Sequence, residues 1–214
     1  MYKNRKTSAA HTSWVAQGMS AQQARQSRPR AQSHIPEAGE SVHRHLIQES
    51  WQRCEDFGLT HGSYPVRGGI SKGSLDALLE EHQLLLHTTQ KEVLPYYDHI
   101  LANSKCLVVL ADRRGQVLNT WGESLFHERH QHGLEVGNQW SETNNGTNAI
   151  GTAIASGQAV QVGRDEHFLR ANRFMVGSAS PIFNTERDMV GVLDISSDAY
   201  LPQDHTLGMV KLMT

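Results

Sequence analysis

The first third of the chain carries hydrophobic residues at three- and four-residue steps, the period of an amphipathic helix. Over residues 41–57 this spacing predicts one helix, with Ser41 as a candidate N-cap and Gly58 directly after its end. The apolar positions that define this helix are Val42, Leu46, Ile47, Trp51 and Cys54. A loop rich in glycine follows it.

A second helical pattern covers residues 74–102, with Ser74 as a candidate cap and a stripe made mostly of leucine. Pro95 lacks a backbone N–H, so we expect the helix to kink or divide near Val93 and Leu94. A leucine stripe ahead of a compact domain favours contact with the same stripe of a second subunit. The alternative is that the stripe packs on its own domain.

The pattern changes to that of β-strands near residue 106. A continuous apolar run and the segment after it predict a hairpin whose turn is Asp112 to Gly115. We expect the strand over 189–196 to be central because it is apolar throughout. The predicted strands are residues 106–112, 116–122, 159–162, 173–183 and 189–196.

The remaining segments lie between and after these strands. Residues 124–137 have no clear period, residues 165–171 read as a helical turn capped by Asp165, and residues 205–214 predict a final helix. Antiparallel strands with helices at the ends are typical of an α+β fold. We therefore predict one antiparallel sheet with helices on one face and a long crossover on the other.

The crossover contains the most distinctive stretch, WSETNNGTNAIGTAIASG at residues 140–157. Asn and Gly tolerate left-handed backbone, so the NNG segment predicts a tight turn. Thr147 or Asn148 can cap a short helix that begins at Ala149, and Gly157 fits directly after its end. Two interpretations stay open here: a wall of a binding site, or only a turn and a cap.

Composition narrows the possible functions. The 214 residues carry a formal net charge of -2, which gives no general attraction to nucleic acid or to an anionic membrane. Two cysteines, Cys54 and Cys106, are too few for a disulfide framework, and no signal peptide or membrane span is evident. We expect a cytoplasmic protein. Residues 1–40 are rich in Gln, Ser, Ala, Arg and Pro and are expected to be disordered.

Five segments together resemble the N-terminal sensory region of activators of the acetoin-catabolism-regulator (AcoR) type. They are SWQRC (50–54), LADRRGQVL (110–118), WSETNNGTNAIGTAIASGQAVQV (140–162), EHFLRANRFMVGSASPIF (166–183) and GVLDIS (191–196). The resemblance covers residues 41–214 and implies a GAF domain, with long crossover loops that form a pocket. The implied arrangement is a helical extension over 41–90 and a GAF sensory domain over 91–214.

Regulators of this type place the sensory region before an ATPase domain and a helix-turn-helix, and they work with sigma-54 RNA polymerase at enhancer DNA. This chain contains no GxxxxGK[ST] phosphate loop. Its final helix is expected to continue toward an ATPase, so we interpret the chain as a sensory fragment of a longer regulator that is not itself an enzyme. We expect a homodimer that binds a small-molecule effector, with no membrane partner and no cofactor.

The resemblance implies an effector pocket between the sheet and the crossover. Aromatic and apolar residues with a few polar groups suit a small oxygenated metabolite: an alcohol, aldehyde, diol or hydroxyketone. The candidate residues are Trp121, Trp140, Glu142, Asn145, Thr147, Asn148, Ile150, His167, Phe168, Phe174, Met175, Ser178 and Ser180. Asn148 is the first candidate donor. Gly177 and Ser180 stand where relatives often carry Cys and Ala, which alters the expected volume and polarity.

Several of these residues have a second interpretation. His167 either bonds the effector or ties its own turn to a backbone carbonyl, and Glu142 is expected to face water more than ligand. Asp194 is expected to anchor a turn or a backbone amide. The histidines at 127, 130 and 132 lack the HExxH spacing and are expected to be solvated, with no metal.

Two other functions remain as alternatives. A free-methionine-sulfoxide reductase of the GAF type would need reactive cysteines in the pocket loops, and neither cysteine lies there. A ligand-free dimerisation module would carry large aliphatic residues where this chain keeps Asn, Ser, Thr and Gly.

Overall fold

The computed structural model describes residues 38–101, 106–122, 133–199 and 205–214. All of them belong to one compact unit, in which the segments on both sides of residue 90 pack against the same sheet. Nearly all of the segment expected to be disordered, and the three histidines at 127, 130 and 132, lie outside the described residues.

The helices begin and end close to the positions that the hydrophobic period predicts. The described residues form the α-helices α1 Ala38–Asp56, α2 Lys72–Glu81, α3 Gln83–Thr88, α4 Leu94–Leu101, α5 Glu142–Asn145, α6 Ala149–Ser156 and α7 Thr206–Leu212. A π-helical turn, Thr89–Val93, joins α3 to α4, and 3₁₀ turns cover Arg164–Glu166 and Arg170–Asn172.

The long helix predicted over 74–102 is divided rather than continuous. The π-turn ends at Val93, two residues before Pro95, as expected where a proline removes a helical hydrogen bond and its ring crowds the preceding turn. A second interruption at His82 was not predicted. The predicted cap was also wrong, because Ser71 is the N-cap and its hydroxyl accepts from the Ser74 backbone N–H.

The strands form one antiparallel sheet in the order β2-β1-β5-β4-β3. Their bounds are β1 Cys106–Asp112, β2 Val117–Gly122, β3 Val160–Gly163, β4 Met175–Phe183 and β5 Met189–Asp198. β5 lies in the centre, between β1 and β4, which confirms the prediction from its apolar sequence. The α+β class is likewise confirmed.

Each face of the sheet is covered by a different layer, because successive strand residues point to opposite sides. The crossover face carries Val109, Ala179 and Val192 and packs against α6 and Ile47 of α1. The helical face carries Val108, Leu193 and Ile195 and packs against α2 to α4 and α7. The first helix therefore lies on the crossover face, although helices were expected on the other face only.

Candidate functional site

The crossover enters α6 through a tight polar turn. Gly146 has a φ of 63°, which favours glycine, and Asn148 is the N-cap of α6. The Asn148 Oδ1 accepts from the Gly151 N–H at 2.8 Å, and its Nδ2 donates to the Gly146 carbonyl at 2.8 Å. Gly157 ends the helix in a left-handed conformation. The predicted cap and stop are confirmed, and the side chain of Asn148 bonds within its own turn.

Glu142 is buried and bonded to α1, so the expectation that it faces water was wrong. Its carboxylate accepts from the Arg53 Nε at 2.7 Å and from the Arg53 Nη2 at 2.9 Å. The hydroxyls of Ser50 and Thr152 lie 2.6 and 2.9 Å from the Glu142 Oε1. These bonds compensate the burial of a charge and fasten the crossover to α1.

Two other predicted polar residues complete this connection. The Thr147 hydroxyl lies 2.7 Å from the Ser50 Oγ and 3.6 Å from the Cys54 Sγ. The Asn145 Nδ2 donates to the Gln139 carbonyl at 2.7 Å. Both side chains are buried, and both hold segments of the protein to one another.

His167 is fully buried, and both of its ring nitrogens face backbone carbonyls. The Nδ1 lies 3.1 Å from the Thr147 oxygen and the Nε2 lies 3.2 Å from the Met175 oxygen. Burial lowers the pKa of His167 to about 4, although the two carbonyls favour the charged ring. The imidazole is therefore neutral near pH 7, and its single N–H donates to one of these two carbonyls.

The apolar candidates on the crossover side divide into two clusters. Trp140, Ile150 and Met175 belong to the main core, and Phe174 packs against it partly buried. Phe168 lies in a smaller cluster beside α1, where its ring meets that of Trp51 edge-on at 5.7 Å.

Three predicted site residues lie on the opposite face of the sheet. Trp121 pairs with Val108 and packs among the residues of the helical face. The Ser178 Oγ lies 2.9 Å from the Thr206 Oγ1, and the Ser180 Oγ lies 2.7 Å from the Thr214 Oγ1. Successive residues of a strand point to opposite faces, so Gly177 faces the crossover whereas Ser178 and Ser180 face the helices. Ser178 and Ser180 therefore support α7.

Asp194 was expected to anchor a turn or a backbone amide, but its carboxyl bonds a side-chain hydroxyl instead. It lies on β5 at the crossover face, is 1% exposed, and its Oδ2 accepts from the Ser196 Oγ at 2.6 Å. Its Oδ1 has no hydrogen-bond partner within the described parts of the chain. Burial raises the pKa of Asp194 to about 7, against a smaller lowering by the Ser196 hydroxyl. The sequence signal for this residue is a carboxylate at an inward-facing position of β5, the central strand.

Two surface clefts lie away from these residues. One is lined by α2–α3 residues Glu81, Leu84 and Leu85 and by Met189 and Val190 of β5. The other lies between α1 and the 3₁₀ turn that follows β3. Among the described residues, no group of three His, Cys, Asp or Glu side chains is placed to hold a metal ion.

The surroundings of the two cysteines determine how reactive their thiols are. Cys54 and Cys106 are both buried, and burial raises the pKa of the Cys54 thiol. A buried thiol with a raised pKa is a poor nucleophile.

Within the described parts of the chain, no helix is long and apolar enough to cross a bilayer.

Comparison with known proteins shows which proteins are similar to this chain. No protein-family profile matches the chain. The acetoin catabolism regulatory protein of Cupriavidus necator is 32% identical over 162 residues, which is 73% of this chain and 24% of that protein. The acetoin dehydrogenase operon transcriptional activator AcoR of Bacillus subtilis is 32% identical over 172 residues, 78% of this chain and 27% of that protein.

The chain is homologous to the sensory region of AcoR-type regulators. It spans about a quarter of the length of the curated relatives it matches. Both relatives are named as regulators, in agreement with the expectation that the chain is a regulatory region.

A solved structure supports the fold. The Escherichia coli DhaR(N)–DhaL complex contains a chain that matches with a TM-score of 0.73 at 20% identity, over 78% of this chain and 57% of that one. The GAF-like fold expected from the sequence is confirmed.

Proposed function

We propose that this chain is the signal-sensing region of a transcriptional activator and that an effector binds on the crossover face of the sheet. The observation that carries the proposal is the buried Asp194 carboxyl, one oxygen of which lacks a partner inside the crossover core. A purely structural core rarely retains such a group, because an unsatisfied buried acceptor costs about 1–3 kcal/mol. An effector that bonds it recovers this cost.

The effector is a small oxygenated metabolite, such as a short alcohol, aldehyde, diol or hydroxyketone. The residues around Asp194 are small, apolar and closely packed, including Ala149, Gly177 and Ala179, so the effector has few atoms and its entry moves α6 outward. The relatives regulate acetoin catabolism, which is consistent with this class. Among the predicted site residues, Thr147, Asn148 and His167 contribute by holding the walls, since their polar groups bond other parts of the protein.

The signal passes through the sheet to α7. Neighbouring residues of β4 face opposite sides, with Gly177 next to Asp194 and Ser178 in contact with Thr206 at the start of α7. A displacement of β4 or β5 by the effector therefore reaches the final helix without an intermediate element. The effector shifts this equilibrium only by the difference of its affinities for the two arrangements.

Calorimetric titration tests the sensing function. We expect the 214-residue chain to bind at least one member of a panel of short alcohols, aldehydes, diols and hydroxyketones. A complete absence of binding across the panel would contradict the proposal. A methionine sulfoxide reductase would need accessible thiols, and both cysteines are buried. We therefore expect no turnover in an assay for methionine sulfoxide reduction.

We also propose that the chain forms a homodimer through α2 and α3. Leu78, Leu79, Leu85 and Leu86 of these helices pack partly buried against the sheet of their own domain, whereas Leu84 is 79% exposed. Burial of such a surface against its copy would stabilise association by about 25 cal/mol per Å². By sedimentation, Leu84→Gln should weaken the dimer, whereas Tyr64→Gln, at a residue 90% exposed elsewhere, should not. Equal association of both variants and the unmodified chain contradicts this surface.

In a full-length regulator, the same region would control an ATPase domain that acts on sigma-54 RNA polymerase from enhancer DNA. This part of the proposal rests on the relatives, which are about three times as long as the chain. Effector-dependent expression from a reporter, measured with the sensory region attached to its natural partner domains, would test it.

A further inference from the structure

The Asp194 carboxyl has two unlike oxygens in one buried position. The Oδ2 accepts from the Ser196 hydroxyl at 2.6 Å, whereas the Oδ1 has no partner. A Cβ atom placed on Gly177 would lie 3.0 Å from that Oδ1 and 2.9 Å from the Ala149 Cβ. The space between Asp194 and α6 is therefore closely packed around Gly177, and a ligand reaches the Oδ1 only when α6 moves outward.

The neighbours of Asp194 carry no titratable group. In the register of the sheet, Val109 of β1 and Ala179 of β4 lie on either side of it, and Ala149 of α6 lies over Gly177. Burial and the Ser196 hydroxyl are the causes that shift its pKa, with no contribution from another charge. Among the described residues, nothing but Ser196 competes with a ligand for this carboxyl.

We propose that the Asp194 Oδ1 is the anchor for a hydroxyl group of the effector. This inference rests on the proposed sensing function and deepens it. A hydroxyl both donates and accepts, so it bonds the carboxylate as a donor and the protonated carboxyl as an acceptor. A ketone or aldehyde oxygen only accepts, so it bonds Asp194 only while the carboxyl is protonated. The site thus selects alcohols and diols over dicarbonyl compounds above neutral pH.

A matched four-carbon series separates these chemistries. Butane-2,3-diol carries two hydroxyls, acetoin one hydroxyl and one ketone, and butane-2,3-dione two ketones, with almost the same shape. The carboxyl of Asp194 loses its proton near pH 7. Between pH 6 and pH 8 the affinity for the dione should therefore fall about tenfold, while that for the diol should stay constant or rise. Acetoin should follow the diol.

Asp194→Asn supplies the second arm of the test. The amide has nearly the same shape but does not titrate, so the dione affinity should lose its pH dependence. The diol should bind about tenfold more weakly at pH 8, because a bond to a charged acceptor becomes a bond to a neutral one. The ratio of diol to dione affinity at pH 8 should fall at least tenfold. A merely structural role for Asp194 would lower both affinities together and leave their ratio unchanged.

Ser178→Ala is the matched control, because Ser178 lies on the other face of the sheet and contacts Thr206. It should leave the ratio unchanged. Preferred binding of the dione at pH 8, a ratio that Asp194→Asn does not change, or binding of other panel compounds but none of this series overturns the inference while the sensing function stands. Failure of every panel compound to bind overturns both.

Discussion

Two buried carboxyl groups on the crossover side, Glu142 and Asp194, have opposite surroundings. Glu142 receives two bonds from Arg53 and further contacts from the Ser50 and Thr152 hydroxyls. Asp194 receives one bond, from Ser196, and its other oxygen has no partner. The first arrangement is that of a structural connection, and the second is that of a group available to a ligand.

The structural connection predicts the effect of removing Arg53. Arg53→Met leaves the Glu142 carboxylate buried without its cation, so the free energy of unfolding should fall by about 1.5–3 kcal/mol. Arg44→Met, at an exposed position of the same helix, should change it by no more than about 0.5 kcal/mol. Urea unfolding measures both. Equal effects of the two substitutions would mean that the Arg53–Glu142 pair does not stabilise the fold.

The pKa of Asp194 predicts a pH dependence of stability. Because its folded-state pKa of about 7 exceeds the ordinary 3.8, the stability that Asp194 contributes is full below pH 3.8 and is lost as the pH rises to about 7. His167, lowered from 6.5 to about 4, acts in the opposite direction and loses stability as the pH falls between these values.

Asp194→Asn removes the first of these two contributions. The free energy of unfolding of Asp194→Asn, minus that of the unmodified chain, should therefore be most positive at pH 8 and should shrink toward pH 4. Chemical unfolding at each pH provides the comparison. A difference that is constant from pH 4 to pH 8 would show that Asp194 keeps an ordinary pKa in the folded protein.

The hydrogen-bond partners of the site residues were the feature of the site hardest to predict from the sequence. The cap at Asn148 was predictable because its partner is three residues away along the chain. The partner of Glu142 is 89 residues away, and the surroundings of Asp194 are formed by three other elements, β1, β4 and α6. Local pattern does not contain such information.

At the scale of elements, the hydrophobic period predicted the helices and strands well. β1 and β5 were found because continuous apolar runs are typical of strands buried on both faces. The assignment of faces was less successful, since strict alternation along β4 places Ser178 and Ser180 beneath α7. No proline or glycine lies next to His82, so the sequence pattern did not predict the break there.

The contact between α6 and β4 gives an element-scale prediction. Gly177→Ala would place a Cβ 2.9 Å from that of Ala149, so α6 must shift outward and the free energy of unfolding should fall by about 1–3 kcal/mol. Gly208→Ala is the control, because nothing lies within 4 Å of its added Cβ and helix α7 should gain about 0.5–1 kcal/mol. Thermal unfolding that ranks Gly177→Ala at or above the unmodified chain would contradict the close packing of α6.

At the scale of the whole molecule, one sheet separates the face that we propose binds the effector from the face that carries α7. The crossover, α6 and α1 cover one face, while α2 to α4 and α7 cover the other. A resemblance in five sequence segments was sufficient to predict the GAF-like fold and the similarity to AcoR-type regulators, but not the position of α1 on the crossover face. It was not sufficient to choose among the polar residues of the crossover, most of which connect parts of the protein to one another.

The central claim is that a small hydroxyl-bearing effector binds at Asp194 on the crossover face and changes the position of α7. An NMR titration of the 214-residue chain with acetoin, followed through the backbone amides, tests it most directly. We predict the largest shifts in α6, in β4 near Gly177 and in β5 near Asp194, with a second group of shifts in α7. Shifts confined to the cleft between α2–α3 and β5, or no shifts at saturating acetoin, would contradict the account.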